Sequence, residues 1–192
     1  PRVAAHGLFA GLAITIMGYS FAQKETFFFP NHDQIIHDIY GSNPFLESEK
    51  VADFINEHST PGDEMVVFGG EMQLYFYTGL KSPSKYRWLP YLVDGSAKAP
   101  SMQQEFMQTV EEQRPRFFVA IDHPLSWVRK PGHDQSIMHW YGDYIGANYK
   151  LTGLVDIFLN QPTKYVFGDE LTGYQRQGDF QVFVWELRSQ RR

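Results

Sequence analysis

The sequence contains no cysteine, which removes one class of structure and one class of site. Without cysteine, the chain forms neither disulfide bonds nor zinc sites with thiolate ligands. A chain of this kind tolerates reducing and oxidising compartments equally, so redox chemistry does not decide where the protein works. Its location has to be inferred from other features.

A broad basic surface is also missing. The chain has 17 Lys and Arg residues against 22 Asp and Glu residues, which gives a formal net charge of -5. Basic residues are scattered along the sequence, apart from Arg188, Arg191 and Arg192 in the tail. Binding to nucleic-acid phosphates requires clustered positive charge. We therefore expect no nucleic-acid partner.

Two common catalytic signatures are absent as well. Gly69-Gly70 follows the apolar run Met65 to Phe68, but it has neither the lysine of a phosphate-binding loop nor the spacing of a dinucleotide fingerprint. Ser126 is not part of a G-x-S-x-G nucleophile elbow. We therefore expect no nucleotide site, no serine nucleophile and no cofactor.

The N-terminal segment Val3 to Ala22 is apolar, with His6 as its only ionisable residue. A helix of this length spans roughly 30 Å, the thickness of the hydrocarbon core of a bilayer. We predict a transmembrane anchor, with a cleaved secretory signal and a buried core helix as alternatives. Either a membrane anchor or a signal places the rest of the chain outside the cytoplasm. The predicted domains are residues 1–30, an anchor followed by an aromatic interface segment, and residues 31–192, an extracytoplasmic domain.

The remainder of the chain predicts an α/β fold with a small mixed sheet flanked by helices, similar to half of a Rossmann fold. A buried strand at 64–68, a helix ending at Pro115 and a second strand at 116–121 form one unit, with a right-handed crossover if the strands are parallel. We predict a final antiparallel strand at 180–187 from its alternating pattern. Other predicted elements are helices at 31–40, 43–58 and 136–148, a strand at 149–155, an N-cap at Asn43 and a capping box at Ser101-x-x-Gln104.

Candidate site residues follow the first strand. Glu71 comes after two glycines at a helix start, where it could orient a substrate group or simply be a first-turn helix acid. Aromatic and cationic side chains near it could form a surface for sugar rings, lipid phosphate or a membrane, because rings stack on apolar faces and arginine binds phosphate. Core packing or a protein interface explains them equally well. The predicted docking residues are Glu71, Tyr75, Tyr77, Tyr86, Arg87 and Tyr91, with Trp88 among them in the sequence.

Several histidines and acids lie in one stretch, which raises the question of a metal site. Asp122, His123, His133, Asp134 and His139 carry suitable ligand atoms, but their spacing is irregular and matches no helical i, i+4 pair. We predict no metal site. The pair Asp122-His123 is the one to examine, since it lies where the second strand ends.

The ordered series of motifs resembles a known family. It consists of Asn43-Pro44-Phe45, the turn Thr60 to Asp63, the strand Met65 to Phe68, the segment Gly70 to Gly79, and the turn Gln113-Arg114-Pro115-Arg116. In this order, over roughly residues 1–160, the chain resembles the C-terminal extracytoplasmic domain of bacterial polyprenyl-phosphate-sugar-dependent glycosyltransferases, the group that includes protein O-mannosyltransferases and the aminoarabinose transferase of lipid A.

The resemblance implies a membrane setting, periplasmic in a Gram-negative cell, with the bilayer, a multi-pass transferase module and a polyprenyl-phosphate sugar as partners. In that family the catalytic acids are understood to lie in the multi-pass module, whereas this chain offers at most one membrane segment. Two functions follow. The chain is a non-catalytic module that positions acceptor or donor for a transferase module, or it is a single-pass structural subunit of a larger membrane complex without enzymatic activity.

Overall fold

The computed structural model describes residues 2–24, 31–127 and 134–189. The chain divides into two compact units, Pro1–Gly41 and Ser42–Arg192. Most of the predicted aromatic interface segment, residues 25–30, lies outside the described residues, and so does His133.

In the first unit, the described residues form the helices α1 (Arg2–Ala22) and α2 (His32–Tyr40). Along α1 the large apolar side chains are exposed, with Leu8 at 77% and Phe21 at 74%. Among the described residues, no helix combines the length and the apolar character needed to cross a membrane. The helix itself is confirmed, but its predicted transmembrane character is unsupported.

The second unit is a mixed α/β structure, as predicted. Its five-stranded sheet has the order β1-β2-β5-β3-β4, in which β1 and β2 are parallel and the other neighbours are antiparallel. The strands are β1 (Met65–Phe68), β2 (Phe117–Asp122), β3 (Tyr149–Ile157), β4 (Lys164–Phe167) and β5 (Phe180–Leu187). The helices are α3 (Phe45–His58), α4 (Gln73–Thr78), α5 (Ala99–Gln113) and α6 (Ser136–Asn148), with short 3₁₀ helices at Leu89–Val93, Pro124–Ser126 and Gly168–Leu171.

Alternate residues of the strands pack into two separate cores, one on each face of the sheet. On one face, Phe68 and Phe118 pack with residues of α5 and α6. On the other face, Val67 and Val119 pack with residues of α3 and α4. Strand β1 is buried along its whole length, which explains its continuous apolar sequence.

Two predicted helix caps are wrong. The N-cap of α3 is Pro44 rather than Asn43, and no side chain caps this end. Helix α5 begins at Ala99, because Pro100 is well suited to a first helical turn and starts the helix ahead of the predicted capping box. Ser101 Oγ donates to the carbonyl of Lys98 instead of accepting from a backbone N–H.

Candidate functional site

The C-terminal ends of the parallel strands β1 and β2 lie side by side, with Phe68 opposite Ala120. The loops that leave these strands therefore meet at one edge of the sheet, where α/β folds commonly bind ligands. The end of β3 reaches the same edge through β5, since Gln181 pairs with both Asp122 and Asp156. We call this region the C-terminal edge.

Glu71 joins the two loops at this edge. Its side chain is only 3% exposed, Oε1 accepts a hydrogen bond from Ser126 Oγ, and Oε2 accepts one from the backbone N–H of Gly70 at 2.8 Å. Burial raises the pKa of Glu71, although both hydrogen bonds act in the opposite direction. Glu71 precedes α4 and is not a first-turn helix acid. Both oxygens are bonded inside the protein.

Gly69 is required by this arrangement. A Cβ atom at this position would lie 2.6 Å from Glu71 Oε2 and 2.7 Å from Ile121 Cγ1. Both distances are shorter than real Cβ contacts, so the close approach of the two loops depends on a residue without a side chain.

Tyr75 protects the free edge of β1. Its hydroxyl accepts a hydrogen bond from the backbone N–H of Val67 at 3.0 Å, and Met65 N–H donates to the carbonyl of Lys81 at 2.9 Å. These bonds occupy N–H groups that an edge strand would otherwise leave open to another chain. Burial raises the pKa of Tyr75. The hydroxyl is thus engaged in structure.

Tyr86 belongs to a polar cluster on the surface. Its hydroxyl donates to Glu105 Oε2 at 2.7 Å, while Lys85 Nζ lies 2.6 Å from Glu105 Oε1. The hydrogen bond to Glu105 is the main reason why the pKa of Tyr86 is raised. The ring of Tyr86 packs against the core beneath α5.

Exposed apolar side chains surround the same turn. We define the aromatic surface as Met72, Phe76, Tyr77 and Tyr91, whose exposed fractions are 45%, 85%, 38% and 59%. Phe76 and Tyr77 are in edge contact at 5.7 Å, and Tyr91 contacts Trp88 at 4.3 Å between ring centroids.

The two segments that carry the aromatic surface, residues 72–77 and residues 88–91, come together at Gly70. A Cβ atom on Gly70 would lie 3.4 Å from Trp88 Nε1, and Met72 N–H donates to the Gly70 carbonyl. Arg87, next to Trp88, is exposed, and we find no ion pair for it within the described ranges. Sequence reasoning missed Met72 and Phe76, although their four-residue spacing placed them on one side of a helical turn.

His123 is buried and hydrogen-bonded, and its geometry argues against catalysis. Its Nδ1 accepts from the backbone N–H of Leu125, and its Nε2 lies 3.1 Å from Ser42 Oγ. Because Nδ1 is an acceptor, the proton of the neutral ring is on Nε2 and is donated to Ser42. His123 therefore cannot act as a base toward this serine. Burial lowers the pKa of His123, and the charge of Asp122 offsets this only in part.

Asp156 was not identified from the sequence, yet its side chain is bonded to four other groups of the protein. Its carboxylate accepts hydrogen bonds from Tyr174 Oη, Gln181 Nε2 and the backbone N–H groups of Gln177 and Gly178. Burial alone would raise the pKa of Asp156, but these four hydrogen bonds outweigh it and hold the pKa below its usual value. Asp156 thus fixes the loop before β5 to the end of β3.

The histidines and acids do not assemble into a metal centre in the part of the chain that the structure describes, where no group of three or more such residues is found. Asp122 is exposed, whereas His123 is buried and bonded to Ser42.

Comparisons with protein-family models, with curated proteins and with solved structures find no match to this chain. The resemblance to the glycosyltransferase domains therefore stays a prediction from the ordered motifs.

Proposed function

We propose that the chain is a non-catalytic docking module that holds a polyprenyl-phosphate donor or an acceptor for a membrane transferase module outside the cytoplasm. The observation that carries this proposal is the aromatic surface together with Arg87, which is exposed, adjoins Trp88 in sequence and forms no ion pair with another described residue. The resemblance to the C-terminal domains of lipid-linked-sugar transferases supplies the class of partner.

The bonding of the polar groups supports a non-catalytic role. Glu71 and Asp156 are buried and accept hydrogen bonds from the protein on both oxygens. His123 is held with its proton toward Ser42. General acid-base catalysis needs a group that reaches a substrate proton, and these three groups are directed to internal partners.

The chemistry of the exposed groups supports lipid-phosphate binding. The side chain of Phe76 is 85% exposed and Tyr91 is 59% exposed, which are unusual values for large rings and typical of interaction surfaces. Arginine binds phosphate through its planar set of donors. A prenyl chain on the aromatic surface with its phosphate at Arg87 would satisfy both features.

A second function, an assembly subunit that covers other membrane proteins, is favoured by the exposed apolar side chains of α1. Eight of its large side chains between Leu8 and Phe21 are more than half exposed, and contiguous apolar exposure of this kind indicates a covering partner or lipid. In this case the aromatic surface would contact protein and Arg87 would have no phosphate to bind.

A photoreactive polyprenyl phosphate in detergent micelles distinguishes the two functions. We expect light-dependent labelling of the full chain, with the label mapped by mass spectrometry to residues 72–91. Arg87→Gln should reduce the labelling about tenfold, since a charge-assisted phosphate contact is lost. Phe76→Ser should reduce it by a similar factor.

Leu159→Ser is the matched control, because Leu159 is 54% exposed and lies outside the aromatic surface. It should be labelled like the wild type. Equal labelling of all four proteins would contradict lipid-phosphate docking. Absence of labelling, together with co-purification of a membrane protein that Phe76→Ser abolishes, would favour the assembly subunit.

A further inference from the structure

A second open region lies on the sheet face that carries α5 and α6. Between the end of β2, helix α6 and β5 there is a cleft of about 480 Å³, a volume within the usual range of small-molecule sites. Its aromatic walls include Trp127, Tyr141, Phe183 and Trp185, and the charged side chains among the described residues that line it are Asp122 and Arg176. It is separate from the residues of the aromatic surface.

The floor of the cleft is a pair of aromatic rings on β5. Phe183 and Trp185 point to the same face of the strand, their ring planes are 27° apart, and their centroids are 6.2 Å apart. Both side chains are half-buried, so each ring keeps some area open. Two nearly parallel rings beside each other form a platform for a flat apolar group.

Tyr141 adds a hydrogen-bond donor above this platform. Trp185 Nε1 lies 3.2 Å from the Tyr141 hydroxyl, and an indole N–H only donates. The hydroxyl is therefore the acceptor and keeps its own proton for another partner. Burial raises the pKa of Tyr141 to about 12, so the hydroxyl keeps that proton at neutral pH.

Asp122 and Arg176 give the cleft one charge of each sign. Both side chains are exposed, and neither forms an ion pair with another of the described residues. The described part of the lining therefore offers one carboxylate acceptor and two donors, the Arg176 guanidinium and the Tyr141 hydroxyl.

This balance of groups selects among ligand classes. A sugar would leave most of its hydroxyls without partners against apolar walls, which costs free energy. A simple anion would be repelled by Asp122, and a simple cation by Arg176. A ligand with one charge of each sign and a flat apolar part can pair with Asp122, Arg176 and the Tyr141 hydroxyl and stack on the two rings.

We propose that the cleft binds a small amino-acid-like zwitterion with an aromatic side chain. The ammonium group pairs with Asp122, the carboxylate accepts hydrogen bonds from Arg176 and the Tyr141 hydroxyl, and the ring lies on Phe183 and Trp185.

The test is a titration of the full chain with L-phenylalanine. Binding is measured by calorimetry and by the change in the indole N–H signal of Trp185 in NMR spectra. Phenethylamine lacks the carboxylate and 3-phenylpropionate lacks the ammonium group. Each should bind about tenfold more weakly than phenylalanine, as expected for the loss of one charge-assisted hydrogen-bonded pair. Glucose should not shift the Trp185 signal.

Two variants assign the charges. Asp122→Asn should weaken phenylalanine binding about tenfold without weakening 3-phenylpropionate, because the substitution removes the charge that repels a carboxylate. Arg176→Gln should weaken phenylalanine binding about tenfold without weakening phenethylamine, because it removes the charge that repels an ammonium group. Lys50→Gln removes an exposed cation of α3 outside the cleft, and this control should bind phenylalanine as the wild type does. Equal affinity for the three phenyl ligands, a shift with glucose, or no shift of Trp185 with phenylalanine would overturn the proposal.

Discussion

Asp122 and Asp156 occupy the same row of the sheet, on either side of Gln181, yet their surroundings differ completely. Asp156 is fully buried and accepts four hydrogen bonds, whereas Asp122 is exposed and has no ion-pair partner within the described residues. Position at the C-terminal edge of an α/β sheet therefore does not by itself assign a role to a carboxylate.

The C-terminal edge as a whole has a packed part, in which polar groups bond to one another, and an open part, in which they are exposed. In the packed part, Glu71 and Asp156 hold loops together through internal hydrogen bonds. In the open part, Asp122, Arg176 and the aromatic surface retain groups that can bind another molecule. We therefore expect substitutions in the packed part to affect stability and those in the open part to affect binding.

The largest effect is expected for Asp156→Ala. The substitution leaves Tyr174, Gln177, Gly178 and Gln181 without their common acceptor, and we expect the free energy of unfolding to fall by about 3 kcal/mol in urea titrations. Asp122→Asn is the matched control and should change it by less than about 0.5 kcal/mol. Equal losses in the two variants would remove the distinction between the two parts of the edge.

Gly69→Ala should have the next largest effect. The added Cβ would collide with Ile121 and with Glu71 Oε2, so we expect a loss of about 2 kcal/mol in the free energy of unfolding. Gly142→Ala tests the specificity of this result, since Gly142 is in α6 and has no atom within 4 Å of a Cβ. This control should stabilise the protein by up to about 1 kcal/mol. Comparable destabilisation by both alanines would show that the close loop contact is not the cause.

A smaller effect, with a characteristic pH dependence, is expected for Glu71→Gln. Burial raises the pKa of Glu71 in the folded protein. The contribution of Glu71 to the free energy of unfolding is therefore fully present below the usual glutamate pKa, and it is lost as the pH rises through the raised pKa. The advantage of the wild type over Glu71→Gln should therefore shrink as the pH rises, and at neutral pH the two should differ by less than about 1 kcal/mol.

Asp156→Asn should show the opposite pH dependence. The pKa of Asp156 is lowered in the folded protein, so its contribution is present above the usual aspartate pKa and is lost as the pH falls through the lowered value. Urea titrations of both variants at several pH values between about 3 and 8 give the two slopes. Slopes of the same sign would contradict the different bonding of the two acids.

Much of the fold could be predicted from the sequence because its patterns are strong. The continuous apolar run of β1 and the alternating pattern of β5 identified these strands, and helix α6 was predicted with the correct bounds. Strand β4 (Lys164–Phe167) was missed because, unlike the equally short β1, it has no continuous apolar run, and it is held by pairing with β3.

The roles of the individual side chains could be predicted less well from the sequence. The hydroxyl of Tyr75 reaches a free N–H of Val67 only because β1 is an edge strand, and the sequence does not specify the strand order. Asp156 directly follows the predicted strand 149–155, and its partners at 174–181 come together with it only in the folded chain. Exposed rings at Phe76 and Tyr91 could not be distinguished from buried ones for the same reason.

In the proposed function, the open part of the edge, and the aromatic surface in particular, contacts a partner molecule. Photoreactive amino acids placed separately at positions 76, 91 and 159 of the full chain, in the source cells, test this proposal. We predict that positions 76 and 91 cross-link to the same polyprenyl lipid or membrane protein and that position 159 does not. Cross-links of equal yield at position 159, or none at positions 76 and 91, would contradict a docking role for the aromatic surface.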